Sequence, residues 1–319
     1  LINLATKRKP DLIVIAGDLL HTHERLHTLA LNKACDMVND MRLIAKTYVL
    51  VGNHDYIQNQ QFLTQNHWMT GLKEWENTVI VDKVMSETIR GEKFLFVPYV
   101  PPGRFEEALE TFHGEWRDAS CIFAHQEFAG CKMGAIVSVE GDKWPLDNPR
   151  VVSGHIHSKQ SPQPNIYYSG SAMQHAFGES EKNIIACLTF SEGKFVNDEV
   201  DLQLPRKRIV YIDVEDVETY FVPDTMDKIK VTVTGSYEQF KALKRTKKYK
   251  DMLKGGTKVV FKPKKLVQQE VAQENPEGEG TFRSILNRLI LEEKSPYLSQ
   301  AYELIVNERE SGTDDVIFL

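Results

Sequence analysis

Three short stretches constrain this chain more than anything else in it. Each ends an apolar, strand-like run on a glycine and then presents groups able to bind a metal or carry a proton. Val49-Leu50-Val51-Gly52-Asn53-His54-Asp55 is the fullest of them, and Leu12-Ile13-Val14-Ile15-Ala16-Gly17-Asp18-Leu19-Leu20-His21 and Arg150-Val151-Val152-Ser153-Gly154-His155-Ile156-His157 repeat the design. Continuous apolar runs are typical of strands buried in parallel sheets, and open α/β sheets gather ligands at the carboxyl ends of their strands. Polar groups at such ends cost free energy unless they are partnered. Three of them therefore read as one site, for two metal ions.

With 319 residues the chain has room for one large domain or two to three smaller ones, and composition shifts along it favour the latter. Hydrophobic residues are 41% and charged residues 26%, as in ordinary soluble proteins. No apolar run approaches the roughly 18 residues that span a bilayer, so no membrane partner is expected. Cys35, Cys121, Cys131 and Cys187 are widely spaced without a C-x-x-C pair, which suggests neither a zinc ribbon nor a disulfide framework and fits a reducing cytoplasm. The net charge of -6 hides an asymmetry. Between Lys241 and Lys265, Asp251 is the lone acid in a run of basic residues, which makes that segment a candidate anion-binding face. The first residue is Leu1, not methionine, and no signal peptide is visible, so the natural start is expected upstream.

Taken in order, residues 1–9 read as the tail of a helix that Pro10 stops, followed by a strand over Leu12 to Ala16. Helical spacing of apolar residues from Arg25 to Lys46 leads into a strand at Tyr48 to Val51, making a βαβ unit. A helical stretch follows over Gln61 to Trp75, then strands at Thr78 to Val81, Val84 to Arg90 and Phe94 to Pro98, a helix over Phe105 to Arg117, and strands at Cys121 to Ala124 and Val151 to Ser153. Strands at Ile166 to Ser169, Ile184 to Phe190 and Lys194 to Val200 close a second sheet. Near residue 205 a new unit begins: strands at Ile209 to Val214, Lys228 to Val233 and Lys258 to Phe261, with a basic helix over Ser236 to Tyr249. Residues 266–280 are polar, acidic and glycine-ended, and read as a linker. Residues 281–319 carry two short apolar helical stripes, which on a flexible tether are expected to dock on something else, and an acidic-then-apolar tail.

Two divalent ions a few ångströms apart can stabilise both the attacking and the leaving oxygen of an in-line displacement at phosphorus. Holding them needs a bridging carboxylate, and Asp18 suits that role. Asn53, His125 and His155 can then ligate one ion, while His157 is placed to reach the other. Imidazole, amide and carboxylate donors without thiolate suit manganese, iron or magnesium better than a structural zinc site. His54 follows a ligand without needing to be one; beside a reacting phosphoryl group its imidazole can stabilise charge or protonate the leaving oxygen. His21, in the same loop as Asp18, can contact phosphate or the leaving group.

Gly17-Asp18-Leu19-Leu20-His21, Gly52-Asn53-His54-Asp55, Ala124-His125-Gln126 and Gly154-His155-Ile156-His157 resemble, in order, the motifs of the calcineurin-like metallophosphoesterases. Tyr168-Ser169-Gly170-Ser171 and Phe177-Gly178-Glu179 look more specifically like the SbcD-type nuclease subunit of double-strand-break repair complexes, its bacteriophage relatives included. That resemblance covers residues 1 to about 200 strongly. It implies a mixed α/β two-sheet sandwich flanked by helices (residues 1–204), with a small α/β DNA-binding cap (205–265). It also implies a DNA exonuclease and endonuclease dependent on two Mn2+ (Mg2+ or Fe2+ as substitutes), acting on duplex ends, hairpins or single strands. The implied partners are DNA, an SbcC-type coiled-coil ATPase bound through residues 281–310, and a second copy in a homodimer, in the cytoplasm of a bacterial or phage-infected cell. The family pattern opens with an Asp-x-His on a first strand, and this sequence begins after it. A βαβ unit needs about 30 residues, so on the order of 20 to 30 are missing and the chain as it stands is expected to bind one metal badly.

A lone G-D or G-N-H would read as ordinary turn chemistry; four motifs in order reverse that. His23, His27, His67 and His113 fall on helical or loop stretches and read as solvated, while His175 fits a role supporting a ligand or plain packing equally. Lysine-rich helices are often only soluble faces, but beside a phosphodiesterase site Lys244, Arg245, Lys247 and Lys248 become candidate DNA contacts. Two other functions stay open: a phosphodiesterase of small substrates, and a non-catalytic DNA-binding scaffold with a degenerate phosphoesterase fold.

Overall fold

A computed structural model describes residues 1–264 except 24, 135, 192 and 193, and beyond them only residues 286, 289–293, 295, 297, 298 and 302. Apart from those positions, the linker at 266–280, the partner-binding segment at 281–319 and its tail lie outside the described residues. Helix α1 (Ile2–Arg8) leads to β1 (Leu12–Ile15), and α2 (Thr28–Arg42) crosses over to β2 (Lys46–Leu50), which pairs in parallel with β1 and with β3 (Thr78–Val81). This three-stranded sheet has the order β1-β2-β3, so the apolar β1 stands at an edge, half-buried, while β2 is almost wholly buried.

The second sheet is mixed. β4 (Met85–Ile89) and β5 (Glu92–Val97) form an antiparallel hairpin, and β6 (Cys121–Ala124) pairs in parallel with β5. After the short hairpin β7 (Lys132–Met133) and β8 (Ile136–Val137), β9 (Val151–Ser153) lies parallel to β6, and β10 (Gln160–Gln163) and β11 (Ile166–Tyr168) complete the order β10-β11-β9-β6-β5-β4. Tyr48, Leu50 and Val81 of the first sheet meet Phe94, Phe96, Phe123, Val152 and Tyr167 of the second in one core. The hairpin of β12 (Ile185–Ser191) and β13 (Lys194–Val200) adds Ala186, Leu188 and Phe190 to it. Tyr48 and Phe96 stack with ring centroids 3.9 Å apart, each fully buried, and such a side chain contributes about 1.5–3 kcal/mol by leaving water. The expected two-layer α/β sandwich is thus present.

A separate sheet, β14 (Lys207–Asp213), β15 (Lys228–Gly235) and β16 (Lys258–Pro263), is all parallel with β15 central. Its own core joins Val210, Ile212, Val231, Val233 and Phe261 to Phe240, Leu243 and Met252 of helices α4 (Tyr237–Leu243) and α5 (Lys247–Lys254).

Three expected helices differ from the structure for local reasons. Over 61–75 only the 3₁₀ segment Trp68–Glu74 forms, because Gln61, Thr64 and Asn66 bond one another instead of a helical backbone. The helix begun at Phe105 (α3, Phe105–Glu110) stops where the Thr111 hydroxyl donates back to the Ala108 carbonyl at 2.6 Å and Trp116 turns inward to donate to Glu110. The basic helix over 236–249 is two helices, since the Thr246 hydroxyl accepts from the Tyr249 N–H and starts a new one.

Candidate metal centre

The loops after β1, β2, β6 and β9 meet at one end of the sandwich. Close approach of backbone makes that possible: a Cβ on Gly52 would lie 2.2 Å from Asp18 Oδ1, and one on Gly154 would lie 2.1 Å from the Ala16 carbonyl oxygen. Asp18 (φ 55°) and His155 (φ 73°) both hold the left-handed backbone that non-glycine residues rarely adopt, a cost that clusters at functional sites.

Asp18 Oδ2 lies 3.2 Å from His125 Nε2, and its Oδ1 accepts the His54 main-chain N–H at 2.9 Å. His125 Nε2 and His155 Nδ1 stand 3.1 and 3.0 Å from Asn53 Oδ1 and 3.3 Å from each other. The other nitrogen of His125, Nδ1, faces the Ala16 carbonyl at 2.6 Å and donates its proton there, which turns Nε2 towards Asn53 and Asp18. Among the described residues, Asp18, His125 and His155 form a group whose ligand atoms all fall within 4.8 Å of one another. Donors bound at about 2.1 Å to a tetrahedral or octahedral ion sit about 3.0–3.4 Å apart. The observed spacings match those edges. Lone pairs of an amide oxygen, a carboxylate and an imidazole converging in a mostly buried spot repel one another unless a cation lies among them, so the residues fit a divalent metal of the oxygen- and imidazole-binding kind.

Electrostatics couple Asp18 to His125. Burial alone would raise the Asp18 carboxyl, but the charge and hydrogen bond of His125 and the His54 N–H hold it well below the usual carboxylate range, and burial alone would lower His125, but Asp18 lifts it above the ordinary imidazole value. Burial and the neighbouring His125 push the His155 imidazole down to about 3, keeping it neutral as a ligand must be. Burial likewise lowers His54, with Asp18 opposing.

Residues 1–170 match the model of the calcineurin-like phosphoesterases. This chain belongs to that family. Among relatives of this calcineurin-like phosphoesterase is "Putative phosphoesterase 244L" of Invertebrate iridescent virus 6, 52% identical over 243 residues that make up 74% of this chain and 86% of the viral one. "Putative phosphoesterase 078R" of Invertebrate iridescent virus 3 is 48% identical over 269 residues, 83% of this chain and 78% of its own. The enzyme is thus a hydrolase of phosphoesters, and its family works with divalent metals. Among the described residues no helix is long and apolar enough to cross a membrane.

Of the residues singled out in the sequence, Asp18, Asn53, His125 and His155 come together, and His54 sits at their edge. His21 is exposed, with its ring 5.0 Å from that of His54. His157 stands apart: its side chain is 55% exposed, its Nδ1 is 3.4 Å from Glu179 Oε1, and its ring is 4.9 Å from that of His175. Two histidines read as solvated are not. His67 is buried, faces Asp82 at 3.3 Å and accepts the Met69 N–H, because it caps the 3₁₀ segment. His23 is half-buried, with its ring stacked 5.0 Å from that of His54 and its Nδ1 3.1 Å from the Tyr56 carbonyl.

Four supporting residues escaped sequence reasoning. Asp55, which burial lifts to about 6, accepts from the Asp18 and Gly52 N–H groups and from Trp68 Nε1, clasping the first two loops together. Tyr99 lies over His155 with centroids 5.7 Å apart, and Glu127 Oε2 is 3.8 Å from His155 Nε2. Glu179 faces His157 with one oxygen and accepts the His175 and Ala176 N–H groups with the other. Asp55 and Glu179 stood inside recognised motifs and could have been flagged there; Tyr99 and Glu127 carry no local signal. Lys244, Arg245, Lys247 and Lys248 cluster at the junction of α4 and α5, Lys248 half-buried over the Phe221 ring and the others exposed.

Proposed function

We propose that this phosphoesterase hydrolyses the phosphodiester bonds of DNA, as exonuclease and endonuclease, with two manganese ions, and that it works with an SbcC-type coiled-coil ATPase bound through residues 281–310. The observation that carries the reading is the setting of His54 beside four converging ligands. Its main chain is tied to Asp18, its ring is 5.0 Å from those of His21 and His23, and among the described residues its buried Nδ1 has no hydrogen-bond partner. Divalent cations in such a site neutralise charge on phosphoryl oxygens and make water a nucleophile at neutral pH.

The rest falls to the chain. Asn53, His125 and His155 would hold one ion, and Asp18, kept ionised by its partners, would be shared between the two. His157, facing Glu179, would serve the second. His54 donates a hydrogen bond or proton to the leaving oxygen as the phosphorus–oxygen bond breaks, and His21 contacts the phosphate. DNA is favoured over small phosphodiesters because a lysine-rich cap is fused to the site, and neutralising several phosphates is what sequence-independent binding requires.

The test is manganese-dependent degradation of linear duplex DNA by the full-length protein beside His54→Ala. Turnover in the variant should fall by about 10²- to 10⁴-fold with manganese binding unchanged. Equal cutting by both proteins, or loss of metal from the variant, would contradict the role given to His54. Hydrolysis of bis(p-nitrophenyl) phosphate with no attack on DNA would favour the small-substrate reading.

A further inference from the structure

The three-stranded cap sheet has two unlike faces. Register places Val210 beside Val231 and Val259, and Ile212 beside Val233 and Phe261, and these residues meet α4 and α5. Side chains alternate across a strand, so the opposite face carries Lys207, Ile209 and Tyr211 from β14, Lys228, Lys230 and the buried Thr232 from β15, and Lys258, Val260 and Lys262 from β16. No helix covers that face among the described residues. It carries five lysines, and Lys228, Lys230, Lys258 and Lys262 enter no ion pair among the described residues; Asp213, at the end of β14, is bound to Lys264, and Asp227, next to Lys228, is bound to Arg208. Tyr211 is 65% exposed there, with Lys262 Nζ 6.0 Å from its ring centre.

The β14 edge of this face adjoins the loop that faces His157. The loop that carries Glu179 is fastened to β14: Gln174 Oε1 accepts the Lys207 N–H at 2.7 Å, and Lys207 Nζ donates to the His175 carbonyl. Phe177 lies 5.5 Å from Lys230 Nζ, and a methyl group on Gly178 would touch Ile209 Cδ1 at 3.8 Å. One residue further, Glu179 faces His157. Within three residues the chain therefore touches both the basic face and the candidate ligand of the second metal. The lysines of α4 and α5 lie behind the sheet, on its other side.

We propose that the open face of the cap sheet, with Lys228, Lys230, Lys258 and Lys262 around an exposed Tyr211, binds an unpaired nucleic-acid strand and leads it to the metal site. This rests on the nuclease reading above and names the surface that reading lacks. A backbone of phosphates complements a field of unpaired lysines, and a tyrosine standing out of it offers a base its ring, as in sequence-tolerant single-strand binding. From Lys207, whose Nζ donates to the His175 carbonyl, to Tyr211 the strand advances about 13 Å.

The experiment is fluorescence anisotropy with labelled oligo(dT) and a blunt duplex, in EDTA so that nothing is cut, over a series of salt concentrations. Full-length wild type is compared with Tyr211→Ala, Tyr211→Phe, the triple variant Lys230→Ala/Lys258→Ala/Lys262→Ala, and the helix variant Lys244→Ala/Lys247→Ala; circular dichroism confirms that each is folded. Tyr211→Ala should weaken oligo(dT) binding at least about fivefold, with Tyr211→Phe restoring it. The triple variant should lower the slope of log affinity against log salt by about 2, and the helix variant should change the slope less. Wild-type affinity and slope in the Tyr211 and triple variants, with the loss falling on the helix variant or only on the duplex, would overturn the proposal and leave the nuclease reading standing. A wild type that binds neither nucleic acid at any salt would remove the nuclease reading itself.

Discussion

Gly52→Ala isolates what the strand-end glycines do. Gly52 is not among the residues at positive φ, so alanine can adopt its backbone and the whole effect is steric. The new Cβ would stand 2.2 Å from Asp18 Oδ1 and 2.4 Å from the Asp18 nitrogen. Neither atom is free to yield, since Oδ1 holds the His54 N–H at 2.9 Å and the nitrogen donates to Asp55 Oδ2 at 2.7 Å. Relief of the overlap therefore breaks at least one hydrogen bond to a charged group, worth about 1.5–3 kcal/mol, and adds overpacking strain of about 1–3 kcal/mol. A loss of about 3 kcal/mol shifts the thermal midpoint of a chain this size down by about 4–6 °C. The same displacement moves a ligand, and manganese affinity should fall about 10- to 100-fold. Differential scanning calorimetry and isothermal titration with manganese read both quantities. Gly71→Ala is the control, because a Cβ there meets nothing within 4 Å. If Gly52→Ala melts and binds metal like Gly71→Ala, the convergence of loops described here is wrong.

Glu179→Ala should change the tautomer of His157. With Glu179 opposite, Nδ1 carries the proton; without it the commoner Nε2–H form should dominate, as long-range ¹H–¹⁵N spectra of the imidazoles would show. A wild-type His157 already in the Nε2–H form would refute the orientation given to it. Asp82 is buried between His67 and Lys73; burial would raise its carboxyl, but these two partners hold it below the ordinary value. A depressed carboxylate pKa stabilises the fold above the unfolded value near 4, and the gain is lost as pH falls through the folded one. Asp82→Asn should thus cost about 2 kcal/mol at pH 5 in urea unfolding, with the gap to wild type closing as the pH drops below 4. Parallel pH profiles for the two proteins would refute it.

The candidate site was legible in the sequence because each of its parts is local. An apolar run, a glycine and a donor sit within a few residues at Gly17-Asp18, Gly52-Asn53 and Gly154-His155, and the structure brings all three donors together. What supports them is not legible, since Tyr99 and Glu127 take their meaning from His155, 56 and 28 residues further along the chain. The sandwich followed from strand runs such as Val49-Leu50-Val51 and Cys121 to Ala124, whose burial leaves few alternatives. Helix ends are less legible. Apolar spacing continued past Glu110 and across Thr246, but side-chain hydrogen bonds to the backbone at Thr111 and Thr246 stop and restart the helices, and periodicity does not register such bonds.

The central claim is that Asp18, Asn53, His125 and His155 hold a catalytic metal. Crystals of the full-length protein grown with manganese, measured at the manganese absorption edge, test it most directly. The account predicts an anomalous peak about 2.0–2.4 Å from Asp18 Oδ2, Asn53 Oδ1, His125 Nε2 and His155 Nδ1. A map with manganese only at surface carboxylates, and none among these four atoms, would contradict it.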